Sequence, residues 1–244
     1  MKKIFVLIAA VCMTYTTAFA QTVKPFKEGE RAVFLGNSIT DGGHYHSYIW
    51  LYYMTRFPNM PLRILNGGIG GDTAYDMNKR LDGDIFPMKP SVLMVTFGMN
   101  DSGYFEYNGD NPKEFGEQKY QESIKNYQQM EKRFKDLPDT RIVMVGTSPY
   151  DETVQLKENV PFKTKNETIK RIVEYQKESA AKNNWEFTDL NAPMVALNQQ
   201  NQQKDPAFTL CGSDRIHPDN DGHMVMAYLF LKAQGFVGKE VAEM

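Results

Sequence analysis

From Arg31 onward, short apolar runs alternate with longer stretches whose apolar positions recur three or four residues apart. Ala32-Val33-Phe34-Leu35, stopped by Gly36, predicts a first strand. His46 to Phe57 follows with helical spacing and many aromatics, and Leu62 to Leu65, ended by Asn66-Gly67-Gly68, predicts a second strand. Ala74 to Phe86 predicts a helix. Ser91 to Phe97 is almost continuously apolar before Gly98, the pattern of a central strand covered on both faces. Glu117 to Leu137 predicts a charged amphipathic helix, Arg141 to Val145 a fourth strand, and Lys163 to Asn183 another helix. Trp185 to Leu190 predicts a fifth strand and Gly222 to Gln234 a closing helix. Such alternation builds βαβ units and hence a parallel sheet in an α/β domain. There is no internal repeat, and the Gln/Asn cluster from Asn198 to Gln203 is too short for a low-complexity domain.

The first twenty residues stand outside this alternation. Lys2 and Lys3 precede an uncharged run from Ile4 to Met13, and Ala18-Phe19-Ala20 before Gln21 has the small-x-small form of a signal-peptidase site. Residues 1–20 therefore read as a signal peptide and 21–244 as the exported domain, periplasmic or extracellular. A lipoprotein reading, with Cys12 lipidated, is opposed by Val11 where a small residue is wanted. With Cys12 removed, Cys211 is alone, so the domain has no intrachain disulfide and rests on its core. No later stretch reaches the roughly 18 apolar residues of a membrane span.

Composition changes this picture little. The 244 residues are 41% hydrophobic and 24% charged, enough to bury a core as one domain and too apolar for a disordered chain. The 28 Lys and Arg against 30 Asp and Glu give a formal charge of −2. Without a basic surplus to neutralise phosphates, nucleic acid is a poor candidate partner.

Four segments carry candidate chemistry. Gly36-Asn37-Ser38-Ile39-Thr40-Asp41 places a hydroxyl directly after the first strand. A Ser or Thr there is usually a helix cap, and it is also where a nucleophile would stand. Thr40 occupies the second-glycine position of a G-x-S-x-G elbow, so the segment is not that motif. The glycine-rich turn Asn66 to Thr73 and the segment Gly98-Met99-Asn100-Asp101 offer N–H donors for an oxyanion, although both also read as turns that merely end strands. Asp214-Arg215-Ile216-His217-Pro218 sets a carboxylate three residues before an imidazole, close enough for one turn to pair them. Its alternative is a surface turn with a capping Asp.

Several other residues invite readings of their own. His44 and His46 lack a third ligand at zinc spacing. Tyr45, Tyr48, Trp50, Tyr52 and Tyr53 have the helical spacing of core residues more than of a sugar platform. Cys211 has no His or basic neighbour at motif spacing and reads as a buried, inert thiol. The irregular stretch Asp101 to Glu117, with Tyr104, Phe105 and Tyr107, follows the third strand, where ligands bind in open α/β sheets.

In order and spread, the four segments resemble the SGNH hydrolase superfamily, also called GDSL-type esterases and lipases, over Arg31 to about Gly235. Gly36 to Asp41 is similar to its serine block, with Asn37 where the GDSL motif has Asp. The resemblance implies a single-domain, three-layer α/β/α sandwich with a five-stranded parallel sheet of flavodoxin-like type. It implies Ser38 as nucleophile, His217 as base and Asp214 as its orienting partner. The oxyanion hole it implies is made by the N–H of Ser38, the N–H of Gly71 and the amide of Asn100, with no cofactor and no metal; His223 looks like a structural position. The expected activity is hydrolysis of carboxylic esters, with a small molecule or polysaccharide as substrate and O-acetyl groups on carbohydrate as the favoured class. Family members also include lysophospholipases and thioesterases for longer acyl chains, and a binding protein on the same fold is the non-catalytic alternative.

Overall fold

The computed structural model describes residues 22–137 and 139–237. The expected signal peptide, with Cys12, lies outside the described residues. Five strands, β1 (Arg31–Gly36), β2 (Arg63–Gly68), β3 (Val92–Val95), β4 (Arg141–Gly146) and β5 (Glu186–Asp189), form one sheet in the order β2-β1-β3-β4-β5. Every pairing is parallel, with Gly36 opposite Gly68 and Leu35 opposite Val95. Seven α-helices accompany it among the described residues: α1 (Ser38–Asp41), α2 (His44–Arg56), α3 (Ala74–Arg80), α4 (Pro112–Lys135), α5 (Lys165–Lys182), α6 (Asn191–Gln202) and α7 (Asn220–Ala233).

The three layers follow from the two-residue period of the inner strands. Ala32, Phe34, Val92, Met94, Val143 and Val145 point to one face, where Tyr45, Ile49 and Tyr53 of α2, Met194 of α6 and Phe230 of α7 cover them. Val33, Leu35, Leu93, Val95, Ile142 and Met144 point to the other, under Met77 of α3, Tyr127 and Phe134 of α4 and Ile172 of α5. Burial on both faces explains why these strands read as unbroken apolar runs. The outer strands β2 and β5 are only partly buried and correspondingly polar. No helix of the described residues is long and apolar enough to cross a membrane.

Three elements depart from expectation. The helix expected over Ala74 to Phe86 is α-helical only to Arg80; Leu81–Ile85 is a π turn and Phe86–Met88 a 3-10 turn. Gly83 and Pro87 are the weakest α-helix formers, and Pro87 has no N–H to continue the ladder. Helix α4 begins at Pro112 rather than Glu117, since proline is well suited to the first helical position. Helix α6 was not expected: its run of Asn and Gln hides the short apolar stripe that seats Met194 in the core.

The chain leaves β1 toward β2 on one side and returns to β3 on the other, so a crevice opens beyond the carboxyl ends of β1 and β3. That switch point is where ligands bind in doubly wound sheets.

Candidate active site

The turn after β1 sets Ser38 at the rim of this crevice. Asn37 is buried, and its Oδ1 accepts the Ile39 N–H at 3.1 Å, capping α1. Ser38 is thereby the first helical residue, and its own N–H is among the four with no acceptor inside a helix. Helix α1 lies directly on the end of β2. A Cβ at Gly68 would fall 2.3 Å from the Asp41 nitrogen, so only glycine permits the approach.

The segment from Asp214 to His217 meets Ser38 from across the crevice. Asp214 Oδ1 accepts the Ile216 and His217 N–H groups, each at 2.9 Å, while the His217 Nδ1–H donates to Oδ2 at 2.6 Å. With Nδ1 donating, Nε2 is the ring nitrogen left to accept, and the Ser38 hydroxyl donates to it at 2.7 Å. Burial pushes the Asp214 carboxyl upward, yet the three hydrogen bonds together hold it below the usual carboxylate range. The bond to Asp214 raises His217 above the ordinary histidine value, with partial burial opposing it. The His217 and Asp214 side chains are 48% and 47% exposed, so the pair stands on a rim.

Arg215 braces this turn, a role that its place between Asp214 and His217 in the sequence does not show. Its backbone has φ +69°, a left-handed conformation that side-chain-bearing residues rarely adopt. Its buried guanidinium donates to the carbonyls of Asp151 at 3.1 Å, Val154 at 2.8 Å and Asn159 at 2.6 Å. The Asp151 N–H in turn donates to the Arg215 carbonyl at 3.0 Å. The chain after β4 thus clamps the turn that presents Asp214 and His217.

The other two segments close the crevice. Gly71, at φ +85°, is the third residue of a turn closed by the Asp72 N–H to the Ile69 carbonyl at 3.3 Å. Gly70 lies against the nucleophile candidate: a Cβ there would be 4.0 Å from the Ser38 Cβ. Arg80 secures the turn by donating to Asp72 Oδ2 at 2.6 Å and to the carbonyls of Gly67 at 2.7 Å and Gly36 at 3.2 Å. After β3, Asn100 Nδ2 donates to the Asp72 carbonyl at 2.9 Å, joining the two donor segments, and Tyr104 Oη–H donates to Asn100 Oδ1. Buried Asp101 accepts from the N–H groups of Ala74 and Gly98 and from the Ser123 hydroxyl, fixing this loop to α3 and α4. Arg80 and Tyr104 are further residues the motif pattern did not single out for this role; Arg80 is revealed by its reach to the Gly36 and Gly67 carbonyls, and Tyr104 by a bond only four residues along the chain, to Asn100.

The remaining candidates stand apart from the Ser38–His217–Asp214 chain. His46 is buried, and its Nε2–H donates to the Thr40 carbonyl at 3.2 Å; burial lowers its pKa. His44 stacks on His223 at 5.0 Å, and burial, aided by the His44 charge, pushes His223 down to about 4. No group of three or more His, Cys, Asp or Glu among the described residues is arranged to hold a metal ion. Cys211 is buried, its thiol donating to the Pro149 carbonyl at 3.2 Å, and burial pushes it up to about 12. The aromatic set divides: Tyr45 and Tyr53 are core, Tyr48 and Tyr52 pack on its edge, and Trp50 is exposed.

Comparison with known proteins identifies the family and the fold. The model of the GDSL-like Lipase/Acylhydrolase family matches residues 34–225. A gut microbial diltiazem-metabolizing enzyme of known structure is 85% identical, with a TM-score of 0.89 over 90% of this chain. That match takes in 50% of the solved chain, so the present chain spans about half its length. An acetylxylan esterase of Geobacillus stearothermophilus is 26% identical over 224 residues, 85% of this chain and 95% of its own. A crystal structure of acetylxylan esterase from the same organism shares the fold, at TM-score 0.67 and 23% identity, over 88% of this chain and 97% of that one.

Proposed function

This chain belongs to the GDSL-like Lipase/Acylhydrolase family of carboxylic ester hydrolases, and on that premise we propose that it is an exported serine esterase removing O-acetyl groups from carbohydrate. The observation that carries the mechanism is the unbroken hydrogen-bond chain from Ser38 through His217 to Asp214, at 2.7 and 2.6 Å. Ser38 Oγ attacks the ester carbonyl as its proton passes to His217 Nε2. Asp214 holds the tautomer and stabilises the imidazolium that forms. The oxyanion is met by the N–H of Ser38, the N–H of Gly71 and the Asn100 amide, donors on turns held rigid before substrate arrives. His217 returns the proton to the leaving alcohol, and water, activated by the same imidazole, releases acetate from Ser38.

The preference for acetyl on carbohydrate is supported by the acetylxylan esterase relative and by a half-exposed site suited to a bulky alcohol. The 85% identical relative places diltiazem beside the carbohydrate acetates as a substrate to test. Export rests on the n-region, apolar run and cleavage site of residues 1–20; a secreted product beginning at Gln21 would bear it out. The deciding experiment is acetate release from a panel of acetylated oligo- and polysaccharides, with a chromogenic ester series from acetate to palmitate and Ser38→Ala as control. Faster turnover of the long-chain esters would make the protein a lipase or thioesterase. No Ser38-dependent hydrolysis of any ester would leave a binding protein on this fold.

A further inference from the structure

Beneath the Asn100 loop lies a lysine that the ester mechanism does not use; burial pushes its pKa down to about 7, and its three acceptors take the three N–H bonds of the charged form. Lys165, the first residue of α5, is 0% exposed. Its ammonium donates to the Met99 carbonyl at 2.7 Å, the Ser102 hydroxyl at 2.6 Å and the Gly103 carbonyl at 2.5 Å. These three acceptors bracket Asn100 and lead directly to Tyr104. The same nitrogen lies 3.9 Å from the centroid of the Tyr104 ring, a cation–π contact made away from water. Phe162 meets that ring edge-on at 6.0 Å. Gripped on its face and its edge, Tyr104 delivers its hydroxyl hydrogen to Asn100 Oδ1.

An Asn side chain has one carbonyl oxygen and two N–H donors. The Asp72 carbonyl can only accept, so it takes one N–H and decides which end of the amide faces it. Tyr104 then holds the oxygen end. With both ends engaged the amide plane is fixed, and the second N–H has a single direction. Donation to Oδ1 also polarises the amide, making that N–H the stronger donor.

We propose that Tyr104 is a positioning residue for the ester reaction, orienting and polarising the Asn100 amide from a seat that Lys165 provides. The inference rests on the oxyanion role given to Asn100 above. Because Tyr104 acts through Asn100, its effect vanishes when Asn100 is gone. The test is a double-mutant cycle of Tyr104→Phe and Asn100→Ala, assayed with a chromogenic acetate ester and checked for folding by circular dichroism. Phenylalanine keeps the ring on Lys165 and removes only the hydroxyl. Tyr104→Phe is expected to lower kcat about tenfold, a fraction of the roughly 10²–10³ for losing a whole oxyanion donor, with KM within about twofold. In the Asn100→Ala background the same change is expected to alter kcat by less than about twofold. Independent, multiplying losses would overturn the proposal, as would a rise in KM alone, which would make Tyr104 a substrate contact. If Asn100→Ala is costly and Tyr104→Phe is neutral, the positioning role falls while the oxyanion role stands. If Asn100→Ala itself costs nothing, both fall.

Discussion

Replacing Arg215 with Met removes a buried guanidinium from a turn that carries two of the three residues of the Ser38–His217–Asp214 chain. Its three hydrogen bonds run from a charged donor to carbonyls of Asp151, Val154 and Asn159. Each such bond is worth about 1.5–3 kcal/mol, and a buried acceptor left empty costs about 1–3 kcal/mol. Two effects reduce the sum: the Asn159 contact is only partly buried, and the buried Arg215 Nε, which has no acceptor, disappears with the substitution. A net loss of about 3 to 5 kcal/mol follows, in line with breaking a buried polar network. For a domain of this size each kcal/mol moves Tm by about 2–4 °C, so Arg215→Met is expected to melt about 6 to 20 °C below the parent. At temperatures where the variant is still folded, kcat is expected to fall about 10²-fold, the scale set by a misplacement of about 1 Å at a catalytic group. Differential scanning calorimetry and initial rates on one preparation measure both. A Tm within about 2 °C of the parent would refute the clamp, and a normal kcat with a lowered Tm would show that the turn holds its geometry without it.

Ser38→Ala is expected to keep the fold and Tm while turnover drops to the roughly 10³–10⁴ over water that oxyanion donors alone sustain; a folded variant with more than about a tenth of parental turnover would remove Ser38 as nucleophile. Asn100→Ala is expected to cost about 10²–10³ in kcat, whereas a change confined to KM would mark a substrate contact. Because Asp214 raises His217 above its ordinary 6.5, and the base must be neutral to accept a proton, kcat/KM is expected to fall as pH drops through a midpoint above 6.5. Asp214→Asn should shift that midpoint downward as well as slowing turnover; a parental midpoint below 6.5 in the pH profile would contradict the coupling.

The layers of the sheet were legible because each inner strand is buried on both faces, so Ala32 to Leu35 and Val92 to Val95 could hardly be read otherwise. The ends of helices were harder to read. Pro112 opens a helix and Pro87 helps end one, and the sequence pattern alone does not separate those uses. The candidates Ser38, Asp214, His217, Gly71 and Asn100 could be singled out because each sits in a short local motif. Arg215, Arg80, Tyr104 and Lys165 could not, because what gives them their place is a carbonyl or ring far away in sequence. Lys165 reaches back 66 positions to Met99, and Arg215 reaches 64 to Asp151. A lysine at the start of an amphipathic helix reads as solvated, and only the folded chain shows it closed in under a loop.

The half-exposed rim on which His217 and Asp214 stand has a consequence for reach. A group at the bottom of a deep pocket is met only by the free end of a chain. A group on a rim is met sideways, by a chain lying across it, so a mid-chain ester presents the same approach as a terminal one. If this site cuts the ester as proposed, a half-exposed rim would tolerate chain on either side of the bond. On the proposed assignment, discrimination would rest on the acyl group held beside Ser38, the Gly71 turn and Asn100, and the rest of the chain would pass over the surface unread.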